Sequence, residues 1–201
     1  MLTVPEAPVL VDGAREPAPD GADERISRTT QANWAAAVAL LLLGLALLWQ
    51  AGLWRAMETV VSAHLMNLVT SAHATAYATT NTIVLQKGGK SIAAFLLSGE
   101  CSVAYFLAFL ALVAAPMALL PRVGWIRAVV ASIAAGMLIE VANLVRLAGI
   151  GMAVVDIGTN NGYTLAHTYL GPFVMFIVTA VAGVIFVGSM FYRRGWTKSP
   201  S

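Results

Sequence analysis

The chain has 201 residues, 59% of them hydrophobic and 11% charged, with a mean hydropathy of +0.78. Soluble domains carry roughly 25% charged residues, so the composition excludes a soluble globular protein and implies an integral membrane protein. The formal net charge is only +2, and the cations are spread along loops, which excludes a nucleic-acid surface. A single cysteine excludes an intramolecular disulfide framework.

Residues 1–30 are rich in Pro, Ala, Asp and Glu and have no amphipathic period. They read as a disordered cytoplasmic tail. They lack the basic start, apolar run and small-residue cleavage site of a signal peptide. Residues 31–195 read as one membrane-embedded catalytic domain, and 196–201 as a short cytoplasmic C-terminal tail. The fold class expected is an all-α integral membrane protein with about four transmembrane helices, an extracytoplasmic amphipathic helix and a short β-hairpin.

The first span expected is Trp34–Leu53, the second Cys101–Leu120, the third about Trp125 to Val155 and the fourth about His167 to Phe191. Arg25 and Arg28 precede the first, Arg122 and Arg127 flank the turn between the second and third, and Arg193, Arg194 and Lys198 follow the fourth. By the positive-inside rule these cations are cytoplasmic. Both termini are then inside, and residues 54–100 and about 156–166 outside. The localisation expected is the plasma membrane, multi-pass.

Within 54–100, "METVVSAHLMNLVTSAHATAY" places Val60, Leu65, Leu68 and Val69 at helical spacing among polar residues. It reads as an amphipathic helix at the interface. "NTIVLQKGGKSIAAFLLS" reads as a hairpin whose two glycines tolerate a positive φ. The hairpin delivers the chain to Cys101.

A lone Cys101 at the mouth of a membrane helix has two readings: a small buried hydrophobe, or a reactive thiol at a water-accessible edge. Arg146 comes 21 residues after Trp125, ~31 Å further along the helix and so near the outer surface. His167 opens the last span on the same side. An arginine in a membrane segment costs at least ~2.5 kcal/mol on insertion scales, so it has a job or a partner, unless it snorkels to the interface. Taken alone, His167 could equally be an interfacial polar residue. Together the three suit acyl transfer through a thioester: the thiolate attacks, the imidazole shuttles the proton, and the guanidinium fork holds a developing oxyanion.

"GECSVAYF", "EVANLVRLAGI" and "HTYLGPF" resemble the exosortase/archaeosortase family of membrane-embedded cysteine transpeptidases, over roughly residues 55–190. The resemblance rests on Cys101 with Ser102 at the outer end of one helix, Asn143 with Arg146 in the next, and His167 opening the last. It implies a membrane cysteine protease or transpeptidase with Cys101, Arg146 and His167 as catalytic residues. Such an enzyme cuts the C-terminal hydrophobic sorting signal from a secreted protein and passes the new carboxyl to an acceptor amine or lipid. Val103 stands where the family commonly has Gly, and the chain has fewer spans than many members.

Glu100, Ser102, Glu140 and Asn143 are the supporting candidates. Glu140, Asn143 and Arg146 are spaced three apart, which spreads them over about 120° of one helix face. Asn143 on that face can brace Arg146 or an extracellular loop carbonyl. His64 and His73, nine residues apart, would fall on opposite sides of one helix, which argues against a shared metal. With no further Cys and no H-E-x-x-H, no metal site and no cofactor are expected. A haem subunit needs histidine pairs deep in opposing helices, whereas these lie at or beyond the interface. The reading from another class is a non-enzymatic small multi-pass protein, an assembly or transport subunit, in which Cys101 is packing.

Overall fold

The computed structural model describes residues 21–120 and 122–191, apart from the side chains of residues 21–29 and of Glu100. The elements are α1 (Gly21–Trp49), α2 (Ala51–Val69), β1 (His73–Tyr77), β2 (Thr82–Lys87), β3 (Lys90–Leu96), a 3-10 turn (Gly99–Cys101), α3 (Ala104–Ala118), α4 (Trp125–Ile157), α5 (Thr159–Tyr163), a π-helical stretch (Thr164–Leu170) and α6 (Gly171–Phe191). The cytoplasmic tails expected at 1–30 and 196–201 fall wholly or mostly outside the described residues.

Three helical runs are long and apolar enough to cross a bilayer: Thr30–Trp49, Trp125–Ile157, and Thr159–Phe191, which joins α5, the π stretch and α6. Their exposed side chains include Leu42, Val145, Phe176 and Val184, a surface that lipid covers and water would not. The second expected span, Cys101–Leu120, is shorter. α3 has 15 residues, ~22 Å at 1.5 Å per residue against a hydrocarbon core of ~30 Å. It begins after Cys101, which sits in the preceding turn, and Pro116 lies in its last turn.

The bundle is held by small residues. Ala114 and Ala118 of α3, Ala128, Ala131 and Ala135 of α4, and Ala182 of α6 are fully buried together. Small side chains let helix backbones approach closely where lipid offers no hydrophobic drive. α1 meets α3 at Gly44, where a Cβ would stand 2.8 Å from Leu112 Cγ and 3.1 Å from the Ala108 carbonyl oxygen. Gly44→Leu is therefore expected to separate the two helices and destabilise the bundle by about 1–3 kcal/mol, read as a lower unfolding temperature of the purified protein in detergent.

α4 is the spine. At one end Asn33 Oδ1 of α1 accepts from the Trp125 backbone N–H, and Leu107 of α3 packs on Gly136 midway. Farther on, Trp54, Glu58 and Met66 of α2 meet Glu140, Asn143 and Gly151 in that order. So α1 and α3 cover the first part of α4 and α2 the second, and the sheet caps the end that α2 reaches.

The region expected to be one long amphipathic helix divides. α2 stops at Val69, where Thr70 turns its backbone N–H and its Oγ1 onto the Met66 carbonyl. His73–Tyr77, expected to be helical, is a strand. Asn67 fixes it by accepting from the Ala74 N–H at 2.6 Å and donating to the Ala74 carbonyl at 2.9 Å. β1, β2 and β3 form an antiparallel sheet in that order, with Ile83 opposite Phe95 and Leu85 opposite Ala93. The expected β2–β3 hairpin is present, with Gly88 and Gly89 at positive φ, and β1 adds a third strand. The period of two buries Ile83 and Leu85 completely.

α2 is amphipathic, as expected. Its buried face is Glu58, Thr59, Ser62, Ala63 and Met66, while Val60, Leu68 and Val69 are exposed. In lipid the polar side of a helix turns into the bundle and the apolar side outward. Residues 156–166, expected to lie outside between two spans, are mostly helical. Gly158, at φ 106, breaks α4 from α5, and Gly162 packs directly on the Ala153 carbonyl, where a Cβ has no room.

Candidate active site

Cys101 closes the 3-10 turn between β3 and α3 and is 6% exposed. Its Sγ lies 3.5 Å from His167 Nε2, across 66 residues of sequence, and accepts from Ser98 Oγ at 3.7 Å. His167 belongs to the π-helical stretch. The extra residue in each π turn re-aims side chains, and such turns recur at functional sites. The imidazole stacks on Tyr163 at 4.8 Å between ring centroids, and Tyr163 stacks on Phe95 of β3 at 5.8 Å. Strand, turn and π stretch together hold the imidazole against the sulfur. A proton can pass between Sγ and Nε2 along that line.

Asn143 ties this pair to α4. Its Nδ2 donates to the Cys101 carbonyl at 2.9 Å and to Glu58 Oε1 at 3.2 Å, and its Oδ1 accepts from an Arg146 terminal nitrogen at 3.3 Å. Asn143 thus braces both Arg146 and a loop carbonyl. Arg146 Nε is buried and has no hydrogen-bond partner. Its stem passes beneath Gly171, the first residue of α6, where a Cβ would come within 2.5 Å of Nε.

The thiol and imidazole share a cavity of about 20 Å³, lined also by Met66, Phe95, Leu147 and Tyr163. That is room for about one water. Arg146 lies instead on an apolar groove of about 430 Å³ between α4 and α6, with Gly149, Leu170 and Val174. Cys101 and His167 are brought together, and Arg146 joins them through Asn143.

Glu58 is the residue that sequence reasoning missed. It is 2% exposed, and its Oε1 accepts from the Val103 N–H at 3.0 Å as well as from Asn143. It therefore ties α2 to the backbone just after the thiol. Ser102 is buried alongside it, with its Oγ accepting from the Ala104 N–H at 3.3 Å at the start of α3. The signal was present as Glu58 and Ser62, a charged and a small polar residue at i, i+4 spacing on one side of α2. Glu140, a supporting candidate, accepts from Trp54 Nε1 at 3.3 Å and is not part of the cluster around the thiol. The side chain of Glu100 is outside the described residues. His64 and His73 are exposed, and His73 is on β1 and not on the helix of His64.

Burial pushes the Glu58 carboxyl above its ordinary range, against the opposing pull of its hydrogen bonds. An acid raised in the fold keeps its proton where the unfolded chain has already lost it, so the wild type loses stability as pH rises through that window. Glu58→Gln does not titrate and keeps an acceptor for Val103 and Asn143. Its unfolding temperature relative to wild type should therefore climb as pH rises from about 4, the ordinary carboxylate range, toward neutrality. A difference that stays flat across that range would show that the carboxyl is ionised in the fold. Glu58→Ala, which strands the Val103 N–H, should cost roughly 1–3 kcal/mol at every pH.

No protein-family model matches this chain, and no curated protein or solved structure matches it.

Proposed function

We propose that this protein is a membrane-embedded cysteine peptidase or transpeptidase of the exosortase/archaeosortase kind. The observation that carries the reading is the 3.5 Å approach of Cys101 Sγ to His167 Nε2, at the end of an apolar bundle. In the reaction, His167 Nε2 takes the thiol proton and the thiolate attacks the scissile carbonyl carbon. The Arg146 guanidinium, whose Nε carries no other bond, holds the oxyanion. Collapse expels the new amine, which receives the proton from His167, and leaves a thioester on Cys101. Attack by an acceptor amine or hydroxyl, or by water, gives the amide, ester or acid, and His167 passes the nucleophile's proton to the departing sulfur, which restores the thiol. The substrate is a secreted protein with a C-terminal hydrophobic segment. The sheet end of the bundle lies outside the plasma membrane, and the α3–α4 turn with Arg122 and Arg127 lies inside.

Topology is tested with single cysteines in a Cys101→Ala background. Lys87→Cys, at the exposed tip of the sheet, is expected to react with an impermeant thiol reagent on intact cells, and Arg122→Cys only after lysis. The opposite pattern would turn the thiol to the cytoplasm and remove the case for processing secreted proteins. Function is tested by co-expression with secreted proteins that end in an apolar segment and a basic tail, following loss of that segment. Retention of every such segment, together with a Cys101 thiol unreactive in the purified protein, would leave the packing role as the surviving account.

A further inference from the structure

A strand at the edge of a sheet carries unpaired main-chain groups and is a template for another chain. The sheet has two edges, and the protein treats them differently. Leu97 N–H donates to the Asn81 carbonyl at 2.8 Å. In an antiparallel ladder such bonded pairs alternate, so Phe95 and Ala93 also face β2, while Ala94 and Leu96 direct their main-chain groups outward, and a bulge beyond Ala93 ends the alternation. By the same alternation Ala74 faces outward from β1, and Asn67 occupies both its N–H and its carbonyl. The β1 edge is therefore blocked at Ala74 by a side chain that mimics a strand. On the β3 edge, Thr159 Oγ1 donates to the Ile92 carbonyl at 3.3 Å. Among the described residues nothing bonds the outward groups of Ala94 and Leu96, and both residues are exposed.

Resting on the reading of Cys101 as nucleophile, we propose that the open edge of β3 at Ala94 and Leu96 binds the scissile segment of the substrate as an added antiparallel or parallel strand. The partner is an extended peptide, recognised through its backbone. Two features favour this occupant. The open edge is the one whose strand runs directly into the 3-10 turn bearing Cys101. The strand's inward residue Phe95 lines the thiol cavity with His167. A peptide paired to Ala94 and Leu96 is thus led along β3 toward the sulfur, and Thr159 at Ile92 marks where pairing stops.

The probes are methyl vinyl sulfone and a peptide of alternating valine and threonine ending in a vinyl sulfone, both reacted with the purified full chain in lipid nanodiscs. Alkylation of Cys101 is read by intact mass. The peptide is expected to react about tenfold faster than the small reagent, the scale of one or two net main-chain hydrogen bonds. Ala94→Pro removes one outward N–H, and proline is tolerated at such edge positions. It should erase most of that advantage while leaving the methyl vinyl sulfone rate unchanged. Because a proline can disturb the fold, peptides N-methylated at one position at a time are tested on the wild-type chain. Loss of the advantage at every second position is the signature of strand pairing. An advantage that persists in Ala94→Pro, or N-methyl effects without a period of two, would overturn strand addition while leaving the thiol reading in place. No reaction with either probe would overturn the thiol reading, and strand addition with it.

Discussion

Cys101→Ala is expected to abolish release of the substrate's C-terminal segment at equal expression. The reaction requires a sulfur that can leave its proton on His167 and form a thioester, and no other side chain near that imidazole offers a nucleophile of comparable acidity. In a serine protease the loss of the nucleophile costs roughly 10⁶ in rate, which in cells amounts to no detectable product. Cys101→Ser should fail nearly as badly, because a hydroxyl ionises far less readily than a thiol. His167→Ala should keep a slow reaction, since a small fraction of free thiol is ionised at neutral pH. Its loss should be of order 10²–10⁴, the usual contribution of a positioned acid or base. Full processing by Cys101→Ala would exclude the enzyme and make the thiol a packing residue.

Arg146→Lys is expected to lose roughly 10²–10³ in rate, the scale of a removed oxyanion donor. A lysine keeps the charge but not the planar fork, and so cannot hold Asn143 Oδ1 and a substrate oxygen together. The position of the guanidinium is set by Gly171, and this gives a second test without touching the charge. A Cβ there would lie 2.5 Å from Arg146 Nε and 2.9 Å from the Ala166 carbonyl oxygen. The closer contact is with the flexible Arg146 side chain, so Gly171→Ala pushes the guanidinium off its seat, with a shift of a few tenths of an ångström in the main chain at Ala166. The variant should lose processing in the same direction as Arg146→Lys, while Cys101 still reacts with methyl vinyl sulfone at the wild-type rate. Normal processing by both variants would show that Arg146 only braces Asn143 and does not meet the substrate.

Several elements were legible because their causes are local. The apolar run from Trp125 onward sets α4 almost to its observed end at Ile157. The two glycines between alternating apolar stretches set the hairpin and its register. The order of Cys101, Arg146 and His167 along apolar segments brought them to one end of the bundle by rise per residue alone.

What only the tertiary structure decided involves contacts between distant parts of the chain. Periodicity shows that α2 has two unlike faces, but not which of them is buried. In water the apolar side, Val60 with Leu68 and Val69, would be the inner one. The tertiary structure instead turns the polar side inward onto α4. That inversion hid Glu58, whose partners Val103 and Asn143 lie 45 and 85 residues away. The strand at His73–Tyr77 was hidden for a similar reason. Nothing local makes "HATAY" extended, and it is held there by β2 on one side and by Asn67 on the other. The π stretch around His167 leaves no mark in composition, yet it carries the imidazole to within 3.5 Å of the sulfur. The sequence alone therefore determined which chemical groups this protein has and that Cys101, Arg146 and His167 fall at one end of the bundle. The packing of α2, the sheet and the π stretch on α4 decided which of those groups touch, because each such contact depends on partners that no local period encodes.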